Sequence, residues 1–133
     1  MKHESIVVVY DSCQAIAEEI ADKLGAEVIS AQSMNVRQIE KCQSFVLAFE
    51  YQADGLLTPH WQYVCQMLCN ESLYGKNFAL FIALGDEVGN KVTTKKLCSL
   101  LREQGAHVVG EQPYVSSSGW NLGNWVSAIS PSI

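Results

Sequence analysis

Residues 78–84 read FALFIAL, and residues 5–10 and 44–49 read SIVVVY and SFVLAF. Continuous apolar runs of this length, lacking polar alternation and, in SIVVVY, rich in β-branched residues, are the pattern of strands buried on both faces of a parallel sheet. Outward from them lie two weaker runs, AEVIS at Ala26 to Ser30 and AHVV from Ala106 to Val109. The segments between have helical periodicity instead. Ile16, Ile20 and Leu24, with Ala17 and Ala21 beside them, form one apolar helix face, and Gly25 stands where a left-handed residue would end it. Asn35 followed by Gln38 predicts a helix start with a reciprocal cap, running briefly to Cys42. Thr58-Pro59 predicts an N-cap and first helical position, before a face made of Trp61, Val64, Cys65 and Leu68. Leu97, Cys98, Leu100 and Leu101 mark a fourth helix stopped by Gly105, and Leu122, Trp125, Val126 and Ile129 are spaced for a closing one.

Strand and helix therefore alternate five times, which predicts an α/β three-layer sandwich: a five-stranded parallel sheet with right-handed crossovers and helices on both faces. In such sheets ligands bind outside the strand carboxyl ends, where the strand order reverses. That rule selects three loops: Asp11 to Cys13, Glu50 to Thr58, and Gly85 to Lys91.

Composition narrows the function. The chain has 133 residues, 48 % apolar and 17 % charged, enough for one cored domain over 1–133. No apolar run approaches the roughly 18 residues of a membrane span. Glu4 ahead of a short apolar stretch argues against a signal peptide. A net charge of −5, from 9 Lys+Arg against 14 Asp+Glu, argues against nucleic acid and for small ligands or basic protein partners. The 5 cysteines are odd in number and form no CxxC pair. Buried thiols in a reducing setting, the cytoplasm, are expected. Cys65 and Cys69 could share a helix face as two metal ligands would, but no His or further Cys stands at ligand spacing, so core packing is expected and no metal.

No catalytic set emerges. His3, His60 and His107 are scattered over a terminus, a helix start and a strand, and no Ser-His-Asp or Cys-His arrangement can be placed. Cys13 at a helix N-terminus could carry a lowered thiol pKa, which Asp11 beside it opposes; a packed thiol is the expectation. Asp11, Glu50, Asp54, Asp86 and Glu87 all fall in the three ligand-end loops, against Lys91 alone. They form either an acidic rim that steers a basic partner or an ordinary solvated loop surface.

Several strings, in their order, resemble the flavodoxin family. IVVVYDS (6–12) stands where flavodoxins have strand one and the lead into their phosphate loop. FALFIALGDEVGN (78–90) followed by a helix and LREQGAHVVGE (101–111) is similar to their fourth strand, second flavin loop, helix and fifth strand. WNLGNWVSAI (120–129) is similar to their terminal helix, and the short span from Val109 to Gly119 resembles the short-chain type. The resemblance implies a flavodoxin-like fold of strand order 2-1-3-4-5, noncovalent FMN, and electron transport to a basic redox partner docked on the acidic rim. It also implies site residues: Asp11, Ser12, Cys13 and Gln14 toward the phosphate, and Glu50, Tyr51, Gly55, Gly85, Asp86, Gly89 and Asn90 toward the ring. Tyr51 is either a stacking partner for that ring or a surface aromatic over its own loop. The loop from Gly85 to Asn90 has no aromatic, so at best one ring face would be stacked.

The first loop departs from the family pattern. Flavodoxins carry roughly S/T-x-S/T-G-x-T there; this chain has only Asp11-Ser12-Cys13-Gln14, several residues shorter, with no Gly and a single hydroxyl. Fewer N–H groups can converge on a phosphate, and Asp11 adds a charge worth about 4 kcal/mol of repulsion at roughly 4 Å and an effective dielectric near 20. Ser12 or Asp11 would then simply cap the first helix. The expectation is an FMN-binding electron carrier with weakened FMN affinity. The alternative is a flavodoxin-like binding or regulatory module that no longer binds flavin, more a carrier or binder than an enzyme.

Overall fold

The computed structural model describes residues 3–50, 56–84, 87–112 and 122–133. Strands β1 (His3–Tyr10), β2 (Ala26–Ser30), β3 (Ser44–Glu50), β4 (Asn77–Leu84) and β5 (His107–Gln112) alternate with helices α1 (Gln14–Leu24), α2 (Val36–Lys41), α3 (Pro59–Cys69), α4 (Glu87–Glu103) and α5 (Leu122–Ile129). The strands form one sheet in the order β2-β1-β3-β4-β5, and every neighbouring pair is parallel. Strand order and direction are those expected from the sequence.

Strand parity sorts the core into two layers. Val7 and Val9, Phe45, Leu47 and Phe49, and Phe78 and Leu80 pack with Met34 and Ile39, with Trp61, Val64 and Leu68 of α3, and with Leu97, Cys98 and Leu101 of α4. The opposite parity, Ile6 and Val8, Val46 and Ala48, and Ala79, packs with Ala17, Ile20, Ala21 and Leu24 of α1 and with Trp125, Val126 and Ile129 of α5. Bulky aromatics thus fill the α2–α3–α4 side, while Val and Ala on the other let α1 and α5 lie close. Phe45 stacks on Phe78 with ring centroids 4.8 Å apart, and Phe49 meets Trp61 edge-on at 4.7 Å. Trp61 is therefore core, as its helical spacing predicts.

Local details agree with the sequence in part. Gly25 takes the left-handed conformation at φ 68° and its N–H donates to Ala21 C=O. Asn35 caps α2 by accepting from the Arg37 N–H at 2.9 Å, but Gln38 Oε1 is buried without a hydrogen-bond partner among the described residues. The expected reciprocal cap is therefore half formed. The loop expected to reach Asn90 is shorter than predicted, because α4 begins at Glu87. An acid at a helix's first position favours the dipole, and a single Gly inside costs only about 1 kcal/mol; Gly89 and Asn90 are accordingly helical.

β1 and β3 pair side by side, but the connections that follow them go to opposite faces of the sheet. α1 packs on one face and α3 on the other, and the carboxyl ends of the two strands between them are where such a fold places a site.

Candidate functional site

The candidate site is built from three chain segments: 11–13 after β1, Glu50 at the end of β3, and 58–60 at the start of α3. Its centre is a carboxylate. Glu50 has the same parity as Val46 and Ala48, so its side chain lies on the α1 side of the sheet, where it is 0 % exposed. Glu50 Oε2 accepts the Asp11 N–H at 2.9 Å and the Ser12 N–H at 2.7 Å. Its Oε1 accepts the Ser12 hydroxyl, with the Cys13 thiol at 3.7 Å. Two backbone donors and a hydroxyl at the entry of an 11-residue helix are an anion cradle, with convergent N–H groups and the positive end of the helix dipole. In this chain the anion is the protein's own.

That arrangement replaces the expected cap. The N-cap position of α1 is Cys13, and no side chain caps it locally; Ser12 and Asp11 give their N–H groups to Glu50. The Asp11 carboxylate turns to α3 instead. Its Oδ2 accepts the Thr58 hydroxyl at 2.7 Å and its Oδ1 lies 2.9 Å from His60 Nδ1. An ionised carboxylate can only accept, which places the ring proton on Nδ1. Thr58 and Pro59 hold the expected N-cap and first-turn positions. The Thr58 N–H also donates to the Glu50 C=O at 3.1 Å. Asp11 and Glu50 thus stitch the ends of β1 and β3 to the start of α3.

The electrostatics quiet the thiol. Burial, then the Glu50 charge and hydrogen bond, raise the Cys13 pKa above its ordinary 9.0, so its helix N-terminal position yields no reactive thiolate. All five cysteines are thiols. Among the described residues, no group of three or more His, Cys, Asp and Glu is arranged to hold a metal, and no helix is long and apolar enough to cross a membrane.

Of the residues singled out in the sequence, Asp11, Ser12, Cys13 and Glu50 come together. Gln14 does not: its side-chain amide donates to Glu18 at 3.0 Å along α1, and it lines a separate groove with Tyr10, Glu18, Ala21, Asp22 and Val28. Tyr51, Gly55, Gly85 and Asp86 lie outside the described residues, and Gly89 and Asn90 belong to α4. Two of the acids assigned to a rim face inward, since Glu50 is buried and the Asp11 side chain is 17 % exposed. Sequence reasoning missed His60. The available signal was topological, because a helix leaving β3 must start beside the loop leaving β1.

No family model matches the sequence, and no curated protein matches it. Solved structures do share the fold. The chain is similar to Fusobacterium nucleatum flavodoxin bound to flavin mononucleotide, with a TM-score of 0.76 and 16 % identity over 96 % of this chain and 98 % of that one. It is similar to oxidised Flavodoxin 1 from Bacillus cereus, at 0.73 and 19 % over 96 % and 98 %. Two-electron reduced Megasphaera elsdenii flavodoxin gives 0.73 and 20 % over 95 % and 98 %. With the 2-1-3-4-5 sheet, these matches establish that the chain has the flavodoxin-like α/β fold over nearly its whole length.

Proposed function

We propose that this chain is a binding module on the flavodoxin-like fold that does not anchor FMN by its phosphate, and that it acts by docking a basic partner at the carboxyl end of its sheet. The observation that carries this reading is the buried Glu50 carboxylate on the Asp11 and Ser12 N–H groups. A phosphate in the first loop would need those same donors, and would meet a like charge at close range, at a cost of about 4 kcal/mol. The residues present therefore do not fit the phosphate of FMN. Support for a basic partner comes from the net charge of −5 and from the acids that follow β3 and β4 in sequence, Asp54, Asp86 and Glu87, the last opening α4; long-range attraction of that kind speeds encounter. Five thiols suit a reducing compartment, the cytoplasm.

The test is a visible spectrum of the purified protein followed by titration of free FMN against flavin fluorescence. Colourless protein with no saturable quenching is expected. Protein that purifies with stoichiometric flavin would overturn the reading.

One observation favours a second reading, an FMN-dependent electron carrier: the full-length likeness to a flavodoxin bound to flavin mononucleotide. On that reading the ring is held by the later loops and the phosphate contributes little. Riboflavin would then bind as well as FMN.

A further inference from the structure

We propose that Glu50 is a tethered counter-anion that permanently fills the cradle at the start of α1, so that this chain selects against phosphate-bearing ligands, and that removing the carboxylate reopens the cradle to an external oxyanion. The inference deepens the reading of the chain as a module without a phosphate anchor and rests on it; it extends the exclusion from FMN to phosphate monoesters as a class and makes it reversible at one residue.

The geometry is that of a bound ligand. The carboxylate is removed from solvent. One oxygen takes two adjacent backbone N–H groups at 2.9 and 2.7 Å, and the other takes the Ser12 hydroxyl, with the Cys13 thiol at 3.7 Å. Among the described residues, every polar contact of the two oxygens is with a donor at the entry of α1, from a residue 37 to 39 positions earlier in the chain. A buried ionised group without partners would be expensive, and a helix N-terminus without partners would leave orphan donors; each satisfies the other.

Tethering decides the competition with an external anion. A free phosphate gives up translational and rotational freedom on binding, whereas Glu50 is already fixed at the end of β3 and orders only its own side chain. The anchor is itself secured: the Glu50 C=O accepts the Thr58 N–H at 3.1 Å, and Thr58 and His60 hold Asp11 from the other side. The short loop leaves no further glycine-lined turn into which a phosphate could move. Glu50 is thus a specificity-determining residue, and phosphate monoesters are the class it rejects.

The experiment titrates inorganic phosphate into 15N-labelled wild type, Glu50→Ala and Glu50→Gln, following the Asp11 and Ser12 amide resonances, with chloride at equal ionic strength as the control. Wild type should show no saturable shift at these two amides; a saturable shift there overturns the proposal. Glu50→Ala should bind phosphate at least roughly tenfold more tightly than wild type. Its melting temperature should rise with added acetate, which can enter the vacated cradle. A folded Glu50→Ala that responds to neither anion overturns it.

Should Glu50→Ala not fold, Glu50→Gln keeps the shape and removes the charge. Its Asp11 and Ser12 amide protons should move upfield as charge-assisted bonds become neutral ones, and unmoved resonances would refute the assignment. The two readings fail separately. Wild type that carries flavin yet ignores phosphate would end the module reading and leave this one standing. Flavin-free wild type with an anion-blind Glu50→Ala would do the reverse.

Discussion

Truncating Glu50 to alanine should cost stability in proportion to what its carboxylate satisfies. Hydrogen bonds to a charged group contribute about 1.5–3 kcal/mol each, and Glu50 takes two backbone N–H groups and a hydroxyl. Two effects reduce the sum. Removing the side chain also removes the cost of burying its charge, which is several kcal/mol in a dry site. Ser12 is exposed, so water can replace part of what its donors lose. A net loss of about 2–3 kcal/mol remains, or roughly 6–12 °C in Tm for a domain of this size. Glu50→Gln, which keeps an acceptor but not the charge, should lose about 1–2 kcal/mol. Urea unfolding reads both values, with the midpoint moving and m unchanged. A Glu50→Ala midpoint within about 0.5 kcal/mol of wild type would refute the assignment of Glu50 as the ligand of these donors.

Other expectations concern the brace, the thiols and the turns. Asp11→Asn should cost about 1 kcal/mol through its bonds to Thr58 and His60, yet leave FMN affinity unchanged, because Glu50 still holds the donors. Improved FMN binding would make Asp11 the repelling group instead. Burial, with a smaller contribution from Cys69, pushes the Cys65 thiol from 9.0 up to about 12. The unfolded thiol ionises first, so this contribution to stability is full below pH 9.0 and is lost as pH rises toward about 12. Urea midpoints against pH should fall less steeply across that range in Cys65→Ala, and equal slopes would contradict the shift. Gly105 has φ +95°, and an added Cβ would lie 3.0 Å from Tyr74 Cα, whereas Gly75 at φ +80° has open space around it. Gly105→Ala should therefore cost roughly 2 kcal/mol or more and Gly75→Ala about 1, measured by the same unfolding curves; equal losses would mean the Tyr74 contact is slack.

The sheet was legible because its strands are buried on both faces: SIVVVY, SFVLAF and FALFIAL need no partner to be recognised, and their spacing forces crossover helices. The start of α4 was not, because Gly89 and Asn90 are turn formers by local chemistry while the helix through them is set by its neighbours. At the site, the short first loop and its lack of glycine could be seen, and the loops that carry Asp11, Ser12, Cys13 and Glu50 could be placed at one end of the sheet, though with Glu50 assigned to a ring and the other three to a phosphate. Their roles could not be read in the same way. The Glu50–Ser12 pairing spans 38 residues and the Asp11–His60 pairing 49, and no local pattern encodes contacts at that range. Parity did carry a hint, since Val46, Ala48 and Glu50 share the face that α1 covers. An acid ending that row must meet the donors at the helix entry.

The most direct test of the central claim is the ratio of FMN to riboflavin affinity for the wild-type protein, measured by calorimetric titration in one buffer. With Glu50 filling the cradle, the phosphate contributes nothing favourable: FMN should show no affinity beyond that of riboflavin. A preference for FMN of roughly a hundredfold or more, which is about 2.7 kcal/mol from the phosphate, would contradict it.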